Sequence, residues 1–243
     1  MSRQKGTWYR LWHRLCRSFL SSRRGASAEV SSGMARRNRP YFWQSIDIRT
    51  VRYLPEADIL VEGGDSPGGA MTGTDLGSRI LKVNHAGEFG AISIYTGQII
   101  VASLFLRDLV PELAEFRSHE RCHREIFDAE LRRRGRRRCR SYWLCGVGGL
   151  SLGLLTALLG RSAISATTVA VESVVLRHLE RQLVDLRDVD EAVVAAISAI
   201  AADERVHHDQ AASHVLKSSF WYRMLKPVVS AATESVIWLG MRL

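Results

Sequence analysis

The sequence predicts an all-α protein built around a four-helix bundle. Three observations carry that expectation. There are only 5 prolines in 243 residues, and long Ala/Leu/Val/Arg/Glu-rich stretches favour helix over sheet. Apolar residues recur at helical spacing through most of the chain after residue 74. One pattern, a lone glutamate followed by Glu-x-x-His, is written twice. Glu88 precedes Glu120 by 32 residues, and Glu172 precedes Glu204 by 32 residues, with His123 and His207 completing the two copies. A gap of that length suits an antiparallel hairpin, with about 14–16 residues running out to the turn and as many returning.

Length and composition bound the rest. A chain of 243 residues can bury a full core in one domain, and 46% apolar with 24% charged residues is ordinary for a globular protein. The net charge of +9 is placed unevenly. Residues 1–40 hold Lys5 and nine arginines against Glu29 alone, so residues 41–243 sum to zero. A basic leader on a neutral body points to an anionic surface or to targeting, not to nucleic acid, which would need basic charge on the folded face. The four cysteines, Cys16, Cys122, Cys139 and Cys145, show no C-x-x-C spacing, so free thiols in a reducing compartment are expected.

The elements follow in order. Residues 8–20 place Trp8, Leu11, Trp12, Leu15 and Phe19 on one helical face and Arg10, Arg14 and Arg17 on another. Three readings stand: a basic amphipathic helix for a membrane interface, an organelle transit peptide, or a disordered leader before a start at Met34 or Met71. No secretory signal is expected, since no apolar core of sufficient length follows the charges. Residues 1–73 therefore form a basic extension with a Gly-rich linker, and residues 74–243 form the folded domain. Thr74 or Asp75 is expected to cap a helix to about Phe105, and Pro111 to open a second to about Arg134. Small residues at Gly87, Gly90 and Ala91 let a neighbouring helix approach the first. Seven arginines in residues 132–140 precede an apolar run from Tyr142 to Leu159. At about 18 residues that run is at the lower limit of a membrane span. A buried core helix combined with a membrane-dipping surface is favoured over a true span, and the arginines suit anionic headgroups or a solvated loop. Ser162 is expected to cap a fourth helix to about Leu186. Asp188 with Glu191 is expected to cap a fifth, running through Val215. A sixth, amphipathic helix carries Leu225, Val228, Val236 and Leu239.

The chemistry lies in the doubled pattern. Side chains three apart on a helix are neighbours, so Glu-x-x-His converges an oxygen and an imidazole on one point. A single such motif is weak and usually solvated, whereas two with identical spacing to a lone glutamate are not. Glu172 lies in the apolar stretch Ala166–Leu176, where an unpaired charge costs several kcal/mol unless a metal offsets it. Four carboxylates and two imidazoles suit iron or manganese, in the arrangement of ferritin-like di-metal bundles. Of the remaining candidates, His178, His208 and Asp209 are each as readily surface or core residues as orienting ones. His85 and His119 flank ligands in sequence but are expected to point elsewhere, and Cys122 is expected to pack.

These residues resemble the demethoxyubiquinone hydroxylase family of ubiquinone biosynthesis. The match is carried by Leu81-Lys-Val-Asn-His-Ala-Gly-Glu-Phe-Gly-Ala91, Ile94-Tyr95-x-Gly97-Gln98, Glu120-x-x-His123, Gly153-x-x-Thr156-Ala-Leu-Leu-Gly160, Val169-Ala-Val-Glu172 and Asp203-Glu204-x-x-His207-His-Asp209. The resemblance covers about residues 74–243. It implies a ferritin-like four-helix bundle with additional amphipathic or apolar membrane-facing helices. It implies two iron ions per chain held by Glu88, Glu120, His123, Glu172, Glu204 and His207, with Glu120 and Glu204 bridging. It implies oxygen-dependent hydroxylation of a polyprenyl quinone or quinol ring, with electrons from the hydroquinone or from an external reduced nicotinamide such as NADH. No built-in nicotinamide domain is expected, because no G-x-G-x-x-G appears between strand and helix. The implied partners are the quinone, O2, an anionic membrane surface and other ubiquinone-biosynthesis proteins. The implied location is peripheral, on the cytoplasmic face of a bacterial cell membrane or the matrix face of the mitochondrial inner membrane. Leu179 departs from the family, which often has tyrosine after the histidine equivalent to His178. Two other function classes compete: an iron oxidation and storage bundle, and a non-catalytic lipid binder that has lost its metal. The apolar Tyr142–Leu159 run argues against the first and the intact six-residue set against the second.

Overall fold

A computed structural model describes residues 73–214 and 220–243, which belong to one compact unit. The expectations for residues 1–72 and for Val215 lie outside the described residues. Six α-helices follow in order: α1 Gly73–Phe105, α2 Val110–Arg133, α3 Tyr142–Leu158, α4 Arg161–Asp185, α5 Glu191–Ser213 and α6 Phe220–Gly240. No strand occurs among the described residues.

The two hairpins form as the 32-residue gaps require. α1 packs on α2 after a short 3-10 turn at Arg107–Leu109, and Pro111 sits in the first turn of α2, where its missing N–H costs nothing. α4 packs on α5, and α2 faces α5 across the bundle. The outer helices cover the hairpins, α3 lying on α1 and α6 on α4. The helix starts differ in detail from expectation. α1 begins at Gly73, so Asp75 sits within its first turn rather than capping it, and its charge there complements the helix dipole. α4 begins after Gly160, whose φ of 93° turns the chain, and Ser162 lies inside the helix without capping it. Asp190, not Asp188, caps α5 by accepting from the Val193 N–H, while Asp188 takes a left-handed turn conformation that Asp tolerates. Cys139 and Cys145 are free and buried, but Cys122 is disulfide-bonded, which corrects the expectation of free thiols at that position.

Two apolar clusters sandwich the middle of the bundle. One gathers Leu81, Phe127, Leu131, Leu179, Ile197 and Ile200, and the other gathers Tyr95, Val101, Phe116, Ala157 and Ile164. Each large side chain buried there contributes about 1.5–3 kcal/mol. Leu179 is therefore a core residue of the first cluster.

α3 approaches α1 closely because glycines line the contact. A Cβ on Gly149 would overlap the Gly90 carbonyl, and one on Gly153 would overlap the Ile94 carbonyl. Gly90 thus serves as expected, whereas Gly87 faces open space. The far side of α3 presents Trp143, Leu144, Val147, Leu155 and Leu158 to the outside. Its 17 residues span only about 25 Å, short of a hydrocarbon core of about 30 Å. Half core helix and half exposed apolar face is the combination the sequence favours. α1 is long and apolar enough to cross a membrane by length and composition, yet it carries Glu88 and packs within the bundle.

The arginine run divides by function. Arg134 bridges α2 to the start of α5, donating to both oxygens of Asp190 at 2.6 and 2.8 Å and to Glu130 at 2.8 Å. Glu130 is 1% exposed and is also bound by Arg133. Arg132 pairs with Asp128 and Arg136 with Asp75. Arg134→Met would leave Asp190 and Glu130 buried with that cation gone. A loss of about 3–5 kcal/mol is expected, read as a lower midpoint in urea unfolding of the metal-free chain. An unchanged midpoint would show that the bridge contributes nothing to stability.

Candidate metal centre

Each helix of the bundle brings its share of the centre to the same level. α1 supplies Glu88 and α4 supplies Glu172, while α2 supplies Glu120 and His123 and α5 supplies Glu204 and His207. All six predicted residues are buried, none more than 6% exposed. They form two overlapping groups. Glu88, Glu120, His123 and Glu204 can hold one metal ion, and Glu120, Glu172, Glu204 and His207 another, with ligand atoms in each group within 4.8 Å of one another. Glu120 and Glu204 belong to both.

The imidazoles are aimed. His123 Nδ1 lies 2.8 Å from Glu204 Oε1 and 3.5 Å from Glu120 Oε2. His207 Nδ1 lies 3.4 Å from Glu120 Oε1 and 3.6 Å from Glu204 Oε2. In both rings Nδ1 therefore faces the carboxylates and Nε2 faces away. Glu120 Oε1, both Glu204 oxygens and His207 Nδ1 are buried without a well-formed hydrogen bond. Buried polar atoms are normally satisfied, so such a convergence of lone pairs fits a cation between them.

The electrostatics of the metal-free chain agree. Burial, then the charges of Glu120 and Glu204, push Glu88 well above the ordinary carboxylate range, and burial with the same two neighbours does so for Glu172. Burial also acts to raise Glu204, but His123 outweighs it and holds that carboxylate well below its usual value. Burial acts to lower His207, but contacts with Glu120 and Glu204 lift it to about 9.

The sequence reading missed three neighbours. His119 faces inward, contrary to expectation: its Nδ1 lies at hydrogen-bond distance, 2.7 Å, from His207 Nε2, with the two rings stacked. The signal was available, since His119 is four residues before His123 and so lies on the same helical face. Asp203 accepts from His123 Nε2 at 3.3 Å. Tyr95 donates its hydroxyl to Glu172 Oε1 at 3.3 Å. Others sit apart: His85 as expected, and His178, His208 and Asp209, for which both an orienting and a surface or core place were open. His85 stacks on Tyr142 and faces Asp128, His178 pairs with Glu234, and His208 pairs with Asp209. Asn84 and Gln182 exchange two amide hydrogen bonds, at 2.8 and 3.1 Å, and so tie α1 to α4 one turn from Glu88.

Two hairpins that converge four glutamates and two histidines in a dry interior define a ferritin-like bundle with a built carboxylate–histidine centre. The chain belongs to the family described as ubiquinone biosynthesis protein COQ7, which matches residues 75–240. It is 33% identical over 168 residues to the mitochondrial NADPH-dependent 3-demethoxyubiquinone 3-hydroxylase of Dictyostelium discoideum, covering 68% of this chain and 76% of the relative. The human protein of the same name is 32% identical over 169 residues, covering 68% of this chain and 77% of the relative. The 3-demethoxyubiquinol 3-hydroxylase of Rhodospirillum rubrum is 30% identical over 200 residues, covering 79% and 94%.

A metal ion binding among these residues would compete with the protons they carry. His207, lifted to about 9, holds its proton near neutrality, and burial pushes Glu88 and Glu172 in the same direction, towards the protonated form. Uptake of a divalent metal should therefore release protons into weakly buffered solution. Its apparent affinity should rise with pH until His207 loses its own proton near about 9. A pH-stat titration measures both; uptake without proton release would contradict this charge assignment.

Proposed function

We propose that this chain is a membrane-associated di-iron monooxygenase that hydroxylates the ring of a demethoxy polyprenyl quinone or quinol in ubiquinone biosynthesis. The observation that carries the reading is the pair of overlapping ligand groups sharing Glu120 and Glu204. Glu88 and His123 would help hold one iron and Glu172 and His207 the other, with Glu120 and Glu204 available to both. The irons supply the oxygen activation that ring hydroxylation needs, with electrons from an external donor. The names of the Dictyostelium and human relatives support NADPH as that donor rather than NADH.

The chain's own residues orient and seal the centre. Tyr95 holds the Glu172 carboxylate, and Phe116 packs against the His207 ring at 5.1 Å. The two apolar clusters keep bulk water from the carboxylates, which strengthens every charge interaction there. A pocket of about 10 Å³ between α1 and α4, lined by Ala91, Ile94, Tyr95, Thr167, Val171 and Glu172, reaches the ligand shell. It has room for about one water.

The outer face supports peripheral attachment to the cytoplasmic face of a bacterial membrane or the matrix face of the mitochondrial inner membrane. Trp143, Leu144 and Val147 on α3 and Leu104 and Phe105 on α1 are exposed apolar residues. Arg138 lies over the Tyr142 and Trp143 rings at 4.9 and 5.1 Å. Arg137 and Arg140 are exposed beside it. A lipid-soluble substrate would reach the centre from that side, and other ubiquinone-biosynthesis proteins would meet the same apolar faces.

Cells lacking this chain should accumulate the demethoxy quinone, and the wild-type gene, but not Glu204→Ala, should restore ubiquinone. The purified protein should carry two irons per chain and the variant none. Normal quinone content, or a soluble cage holding hundreds of irons, would sink the hydroxylase reading. For the membrane face, Arg137, Arg138 and Arg140 changed together to Gln should weaken binding to anionic vesicles by about two orders of magnitude, at roughly 1 kcal/mol each. Sedimentation with vesicles measures it, and unaltered binding would reject this face.

A further inference from the structure

The doubled motif extends one residue further than its ligands. His119 directly precedes Glu120, and Asp203 directly precedes Glu204, so the two occupy equivalent positions on α2 and α5. Each reaches across the bundle to the histidine of the opposite helix. Asp203 on α5 meets Nε2 of His123 on α2 at 3.3 Å, and His119 on α2 meets Nε2 of His207 on α5 at 2.7 Å. The two contacts are related by the same pseudo-twofold arrangement as the ligands, but the chemistry at the two ends differs. One histidine is backed by a carboxylate, the other by an imidazole.

With a metal ion on Nδ1 of each ligand ring, which faces the carboxylates, each Nε2 would carry the ring proton and donate outward. His119 Nδ1 is then the acceptor, and its own ring proton sits on Nε2. The stacking of His119 on His207, at 5.0 Å and 9° between ring planes, fixes the ring angle as well. Phe116 holds the other flank of His207, at 5.1 Å. A carboxylate acceptor makes a metal-bound imidazole a stronger donor to its metal than a neutral acceptor does.

We propose that His119 is the positioning residue for His207, and that an imidazole standing where the other side has a carboxylate makes the His207 metal site the weaker and later-filled of the two. The proposal rests on the reading of the six residues as a dinuclear metal centre. The structure thus assigns an order of loading to a centre whose ligand sets are otherwise matched. The His123 side fills first.

Cobalt(II) titration of the metal-free full chain, followed by visible absorption, tests it. Two steps per chain are expected, the second weaker. His119→Phe keeps an aromatic ring for stacking but removes the acceptor. It should weaken the second step by about 10–100-fold and leave the first unchanged. His119→Gln, which can accept again, should restore the second step. His119→Asp, which mirrors Asp203, should tighten it and bring the two steps together. Asp203→Leu should weaken the first step instead. Circular dichroism of each metal-free variant checks that the helices are retained; if the Phe variant does not fold, the Asp and Gln variants still decide. A merely structural role for His119 would shift both steps together or be insensitive to the Gln rescue, and either result overturns the proposal. A wild-type chain that takes up two cobalt ions in one indistinguishable step overturns it as well, while leaving the metal centre intact. A wild-type chain that takes up none overturns both.

Discussion

Four glutamates share one dry pocket, and the rest of the structure answers to that fact. Carboxylates this close cannot all be ionised in a medium of low polarity without a compensating charge. The metal-free chain resolves the conflict by dividing the labour. His123 holds Glu204 well below the usual carboxylate range, while burial and the neighbouring carboxylates push Glu88 and Glu172 well above it. A metal ion bound among them would resolve it differently, by setting cationic charge against the carboxylates. The interior therefore offers a site where a metal ion could take the place of protons.

Such an exchange demands fixed geometry, and the scaffold provides it at several levels. The hairpins bring each lone glutamate opposite a Glu-x-x-His. The Asn84–Gln182 amide pair ties α1 to α4 a turn away from the ligands. Arg134 ties the end of α2 to the cap of α5, which holds the two Glu-x-x-His helices in register. Apolar clusters above and below exclude water, so no ligand is drawn aside by solvent.

The bundle and its six central residues were legible in the sequence because they depend on repetition along the chain. A helix reports its own periodicity, and two copies of one spacing report two equivalent hairpins. What was not legible depends on how helices are rotated against one another. His119 was expected to point away because it adjoins Glu120, yet it lies one turn from His123 and meets His207 on a different helix. The arginine run read as one anionic-surface feature, whereas Glu130, Asp190, Asp128 and Asp75 engage four of its members. Those carboxylates come from distant positions or from buried faces that composition does not reveal. The caps were misplaced by one or two residues for a local reason. Asp188 and Asp190 both suit a cap, and only the left-handed turn at Asp188 selects the second. Leu179, where the chain departs from the family pattern, is a core side chain, a placement that its position after His178 did not reveal.

The glycine-lined contact between α3 and α1 bears on heredity as much as on packing. Gly149 and Gly153 meet main-chain carbonyls, which cannot step aside as a side-chain tip can. Every single-nucleotide change at such a codon that alters the amino acid adds at least a methyl group, and so drives α3 away from the helix that carries Glu88. A segment with no ligand of its own is for that reason as intolerant of variation as the metal pocket, and harmful alleles are expected to fall there as readily as among the glutamates.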